Sequence, residues 1–269
     1  MRQRSNRILT ALAVATALSL VAAAVAMAAR IVGDASSNVL TGTEQRDRIV
    51  ARGGDDTVNA LAGPDLVRAG AGADTVHSGR GQDQVRGGPG NDALNGDEGC
   101  DRVLGGLGDD TIEGGPGFSF HRFRCDRLHG GLGNDVSNGG LGRDFMSGGQ
   151  GDDVQSGGRG ADKIFANPGR DQSDGGDGPD VLWALARADV ASIGDPEGDE
   201  LTGGTGPDRF RVRDGESDLV HCGDGRDRVL ADQFDQVDND CERVIRSDIT
   251  SLDQVEDQEE NRTENPSAG

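Results

Sequence analysis

Aliphatic side chains recur every nine residues along most of the chain. Ile49, Val58, Val67, Val76, Val85, Leu94, Val103 and Ile112 keep the interval, and Leu128, Ile164, Leu182 and Leu201 continue it. Each stands two residues after an Asp, and glycine-rich stretches separate the units. Asp, aliphatic and polar residue in that order predict a three-residue strand whose central side chain faces inward. Consecutive glycines permit the positive φ angles and close backbone approach of a tight turn between strands. One inward residue per nine gives a core to a chain that is only 33% hydrophobic.

The Asp beat is as regular as the aliphatic one. Asp47, Asp56, Asp65, Asp74, Asp83, Asp92, Asp101 and Asp110 are followed, after one break, by Asp126, Asp135, Asp144, Asp153, Asp162, Asp171, Asp180 and Asp189. Asp199, Asp208, Asp218 and Asp227 extend it with small slips, and Asn38 occupies the beat before Asp47. Gly-Gly-x-Gly-x-Asp occurs whole at 87–92, 105–110, 130–135, 139–144, 148–153, 157–162, 175–180 and 203–208.

This unit resembles the hemolysin-type (RTX) calcium-binding nonapeptide over about residues 33–229. The resemblance implies an all-β fold, a parallel β-roll in which two nonapeptides make one coil of eighteen residues. Units two apart then stack directly. At the ~4.8 Å spacing of strands, such a roll has roughly ten coils and a length of about 50 Å.

Stacking brings like Asp residues together along both edges. Carboxylates that close repel unless a cation lies between them. Paired carboxylates and turn carbonyls supply the six to eight oxygens that Ca²⁺ takes, whereas Mg²⁺ demands a tighter octahedron. No Cys or His lies on the beat, which disfavours zinc and copper. The expected ligands to several Ca²⁺ ions are Asp74, Asp92, Asp110, Asp126, Asp135, Asp144, Asp153, Asp162, Asp180 and Asp208. The best pairs are Asp92 with Asp110, Asp110 with Asp135, and Asp135 with Asp153 on one edge. On the other they are Asp144 with Asp162 and Asp162 with Asp180. At Asp47, Asp56, Asp65 and Asp171, where the glycine pattern is incomplete, an Asx-turn without metal is the competing reading.

The four cysteines fit the same stacking. Cys100 and Cys125 each precede a beat Asp two units apart, and Cys222 lies one coil from position 240. The expected disulfides are Cys100–Cys125 and Cys222–Cys241, the second stapling the end where the glycine pattern fades; free thiols or a metal site are the alternatives, which a secreted context disfavours.

Composition sharpens this picture. The 269 residues include 45 Gly and no Tyr, and 48 acidic against 27 basic side chains give a net charge of -21. Such a charge argues against nucleic acid as a partner. Residues 1–28 read as a signal peptide, with Arg2, Arg4 and Arg7 before an apolar run and Ala26-Met27-Ala28 as the cleavage pattern. A retained membrane anchor is the alternative. After cleavage no other stretch could span a membrane, and 24 basic residues face 48 acidic ones, a charge of -24. The roll is expected over 33–246, and 247–269 as a disordered acidic tail.

Two departures interrupt the pattern. Seven extra residues enter before Asp126, in a segment holding Phe118, Phe120, His121, Arg122, Phe123 and Arg124. It reads either as a recognition loop or as a flap folded back on the roll. Further on, Ser137, Gln155, Ser173 and Ala191 replace the inward aliphatic at eighteen-residue spacing, with Val136, Val154 and Val190 beside them. Either this face has slipped by one residue, or it exposes a valine stripe over a polar ladder. The partners that a buried Gln155 would need favour the slip.

No His-Glu-x-x-His or Gly-x-Ser-x-Gly occurs, and the repeats fill the chain. RTX repeats often accompany a protease, lipase or toxin domain, for which no space is left. The reading is a secreted, extracellular or cell-surface calcium-binding protein, not an enzyme, with a structural, envelope-associated or adhesive role toward a partner the sequence does not name. The alternative is a secreted enzyme or toxin-like protein with a site around 184–220.

Overall fold

The computed structural model describes residues 28–116, 125–184 and 198–250. The signal-peptide reading, the aromatic segment 118–124 and the tail beyond 250 therefore lie outside the described residues. Among the described residues the regular structure is entirely strand.

Alternate strands feed two parallel sheets, one of twelve strands and one of eleven, so each circuit of the chain adds a strand to each. A pair of two-residue strands forms a small third sheet. The inward beat residues lie in register: Ile49 opposes Val67, Val85 opposes Val103, Leu128 opposes Met146, and Ile164 opposes Leu182. These residues and their counterparts on the second sheet, Val58, Val76, Leu94 and Ile112, make one buried cluster. Chains of parallel strands need crossovers, and here the glycine turns supply them without helices. This is a parallel β-roll.

Both insertions leave the stacking intact. Val103 pairs with Leu128 and Ile112 with Ser137, so the register is kept across the seven extra residues. Ser173 pairs with Leu201, not with Ala191. That separation is 28 residues, ten more than one coil, and the beat position Asp189, with Val190 and Ala191, lies outside the described residues.

The expected one-residue slip does not occur. Ile112 opposes Ser137, Ser137 opposes Gln155, and Gln155 opposes Ser173 in unbroken register. Ser137, Gln155 and Ser173 point inward and are buried, while Val136 and Val154 are 48% and 44% exposed. The core accepts the amide because it is fully bonded. In the orientation the network selects, the Gln155 nitrogen donates to Ser173 Oγ (3.2 Å) and the Phe165 carbonyl (3.0 Å), and its oxygen accepts from Gly148 N–H (2.9 Å).

A second apolar cluster lies at outward positions of the first sheet. Phe165 and Trp183 stack at 4.4 Å, and Phe145 lies 5.0 Å from Phe165. Lys163 and Arg211 sit over Trp183, and Arg127 over Phe145. At the C-terminal end the contacts run past residue 246. Ser247 N–H donates to the Ala231 carbonyl, and Ile249 is buried, its backbone held on both sides by the Gln233 side chain.

Candidate metal centres

The turns place the beat Asp residues in two continuous columns. On one edge the backbone N–H of each Asp donates to Oδ1 of the Asp one coil on: Asp74 to Asp92, Asp92 to Asp110, Asp110 to Asp135, and Asp135 to Asp153, at 2.7–2.8 Å. The other edge repeats this through Asp126 to Asp144, Asp144 to Asp162, Asp162 to Asp180, Asp180 to Asp208 and Asp208 to Asp227. All five pairs expected from the sequence are direct neighbours.

Each such Asp is buried, and its second oxygen is left over. Oδ2 has no hydrogen-bond partner in Asp74, Asp92, Asp110, Asp126, Asp135, Asp144, Asp153, Asp162, Asp180 or Asp208. Asp56, Asp65, Asp83, Asp101, Asp218 and Asp227 share the feature and were missed from glycine counting. The Asp–x–aliphatic unit alone, without the full glycine pattern, was the signal that could have found most of them. Asp47 differs. Both its oxygens are engaged: they accept from Thr43 N–H, Thr43 Oγ1 and, one coil back, Ala29 N–H.

The orphaned oxygens face a shaped space. Beside the first glycine of most complete turns lie Oδ2 of that turn's Asp and a backbone carbonyl of the next coil. At Gly105 these are Asp110 Oδ2 and the Gly130 carbonyl, and at Gly87 they are Asp92 Oδ2 and the Gly105 carbonyl. A Cβ at either position would fill that space. At Gly106 and Gly108, with φ of 139° and 112°, the backbone itself requires glycine.

Burial drives the carboxyl groups upward. It pushes Asp126 and Asp162 to about 8, Asp101, Asp110, Asp153 and Asp180 to about 7, and Asp92, Asp135, Asp144 and Asp208 to about 6. Hydrogen bonds from the backbone N–H groups oppose the shift, and the neighbouring Asp charges add to it in most of them. In the last coils Asp199 and Asp218 are held well above the ordinary range, by burial first and then by the charges of Asp171 and Asp214 respectively.

The RTX calcium-binding nonapeptide repeat, as a family profile, matches residues 32–67, 52–85, 86–120, 126–146 and 147–182. The chain belongs to this family. No curated protein matches it. For an RTX roll the donor set fits the metal: buried carboxylate oxygens without a partner, paired with turn carbonyls, are hard ligands of the kind calcium takes. Calcium, when bound, supplies the positive charge the columns lack, and Asp Oδ2 atoms with turn carbonyls are the groups that would hold it. Cys100 is joined to Cys125 and Cys222 to Cys241.

Proposed function

We propose that this RTX protein is a secreted calcium-binding β-roll that folds as it takes up several Ca²⁺ ions, in a structural, envelope-associated or adhesive role outside the cell. The two columns of buried carboxylates with an orphaned oxygen carry this reading. The ligands are the Oδ2 atoms of Asp74, Asp92, Asp110, Asp126, Asp135, Asp144, Asp153, Asp162, Asp180 and Asp208. Residues 1–28 act as the export signal, and disulfides at both cysteine pairs suit an oxidising compartment. The segment 118–124 is the candidate contact with a partner.

The enzyme alternative around 184–220 draws on a groove of about 690 Å³ lined by Asp152, Arg170, Asp199 and Glu200. Its Ser217 hydroxyl donates to the Phe234 carbonyl, so it is not paired with a base. The roll reading is therefore preferred.

Equilibrium dialysis of the full chain tests it. Several Ca²⁺ per chain should bind, with half-saturation at about 10⁻⁴–10⁻³ M, and equal Mg²⁺ should not displace them. Less than one ion bound, or equal uptake of magnesium, counts against the proposal.

A further inference from the structure

Near the C-terminal end the turn chemistry changes. In the turn that leads into strand Leu219–His221, the positions that hold glycine in the repeat hold Arg213, Asp214 and Glu216, and Asp218 closes the turn. All three acids are buried, at 0%, 3% and 0% exposure, and one oxygen from each lies within 4.8 Å of the other two. Asp218 Oδ1 is fixed by the Asp199 N–H at 2.8 Å, and its Oδ2, fully buried beside Asp214, has no hydrogen-bond partner.

The neighbouring coils add more negative charge. Gly215, with φ of 96°, donates its N–H to Asp232 Oδ2 at 2.9 Å, and Asp235 takes the N–H groups of Asp218 and Asp232. Asp199, Asp232 and Asp235 are buried too. Among the described residues, the basic groups acting on Asp232 are Arg213 and Arg246. Arg246 directs hydrogen bonds to the backbone carbonyls of Asp232 and Asp235.

We propose that Asp214, Glu216 and Asp218 form a second kind of cation site, built from side chains where the repeat uses a glycine cradle, and that it takes a hard divalent ion, Ca²⁺. It lies beyond residue 182, where the family match ends. The donors are all oxygen, and the nearby Cys222 is engaged in a disulfide, which excludes a soft metal. Affinity in calcium sites rises with the number of charged ligands. Three carboxylates in one turn should therefore fill at lower calcium than turns contributing one Asp each. The site rests on the same calcium chemistry as the roll but not on the repeat.

Terbium diffraction from crystals of the full chain separates the two readings. At limiting terbium the anomalous peak should lie among Asp214, Glu216 and Asp218, and at excess terbium the glycine turns should fill. Filled glycine turns with an empty cluster overturn this proposal alone, and peaks at neither overturn both readings. In solution, calcium titration by calorimetry should show a tight phase that Glu216→Gln and Asp214→Asn each abolish, while Asp110→Asn weakens only the later phase. A tight phase retained in both cluster variants overturns the proposal. Should the variants fail to fold, the wild-type terbium map decides.

Discussion

At Asp110, one carboxylate oxygen takes the Asp92 N–H and the other faces the Gly130 carbonyl beside Gly105, with no hydrogen-bond partner. Asp110→Asn keeps the first contact and turns the second oxygen into a donor aimed at a carbonyl. Loss of a charged ligand, at ~1.5–3 kcal/mol for a charge-assisted contact, should weaken calcium at that turn by roughly 10–100-fold. The metal-free protein should not become less ordered, because a buried charge has gone. Titration of the variant followed by calcium-free circular dichroism checks both halves. The same chemistry sets a pH dependence. Folded carboxyl groups stand at about 6–8 where an unfolded Asp has ~3.9. Their folded values are raised, so protonation favours the folded state: its benefit is complete below ~4 and lost as pH rises through 6–8. Metal-free protein should therefore gain β-structure between pH 8 and pH 5, and half-saturation by calcium should move to higher concentration as pH falls. A calcium-free spectrum that stays the same across that range would sink this account.

At the scale of the strand and its turn, the Gln155 network makes the sharpest case. Gln155→Ala leaves Gly148 N–H and the Phe165 carbonyl without their partner, at ~1–3 kcal/mol for each buried group so orphaned. Urea unfolding of the calcium-saturated protein should show a loss of about 2–4 kcal/mol, and a loss near zero would mean the ladder does not need its amide. The position of Gln155 on the inward column was legible from the eighteen-residue spacing. Its partners Gly148 and Phe165 were not, since they come from the opposite sheet, and this is why the face was expected to slip. Asp189 misled for a related reason: it keeps the nine-residue beat in sequence, yet Ser173 stacks on Leu201. Periodicity counts residues, whereas stacking is decided by which strands pair. The aromatic cluster was illegible too, because Phe145 opens its strand while Phe165 and Trp183 close theirs. The columns themselves, with all five Asp pairs and both cysteine pairs, could be read because every unit repeats one backbone path.

For the whole molecule, the two columns make the charge problem global. Each coil adds a buried carboxylate on either edge, and each stands directly on its like neighbour through an N–H to Oδ1 contact. The chain already carries -21, so little compensating charge is at hand. Extra coils deepen the repulsion while adding only about one large inward side chain per nonapeptide. A divalent ion between coils removes that repulsion and ties two coils together, so uptake and ordering reinforce each other. The calcium-free chain at neutral pH should therefore be expanded, and folding should be cooperative in calcium. Trp183 offers a built-in probe, being the one tryptophan of the chain, buried against Phe165 and beneath Lys163 and Arg211. In EGTA its emission should match that of a solvated indole. Millimolar calcium should shift it to the blue at the same concentration at which β-structure appears by circular dichroism. Equal magnesium should move neither signal. A β-rich spectrum with buried Trp183 emission in EGTA at pH 7.5 would show that the roll stands without its ions, and coupling of folding to calcium would have to be abandoned.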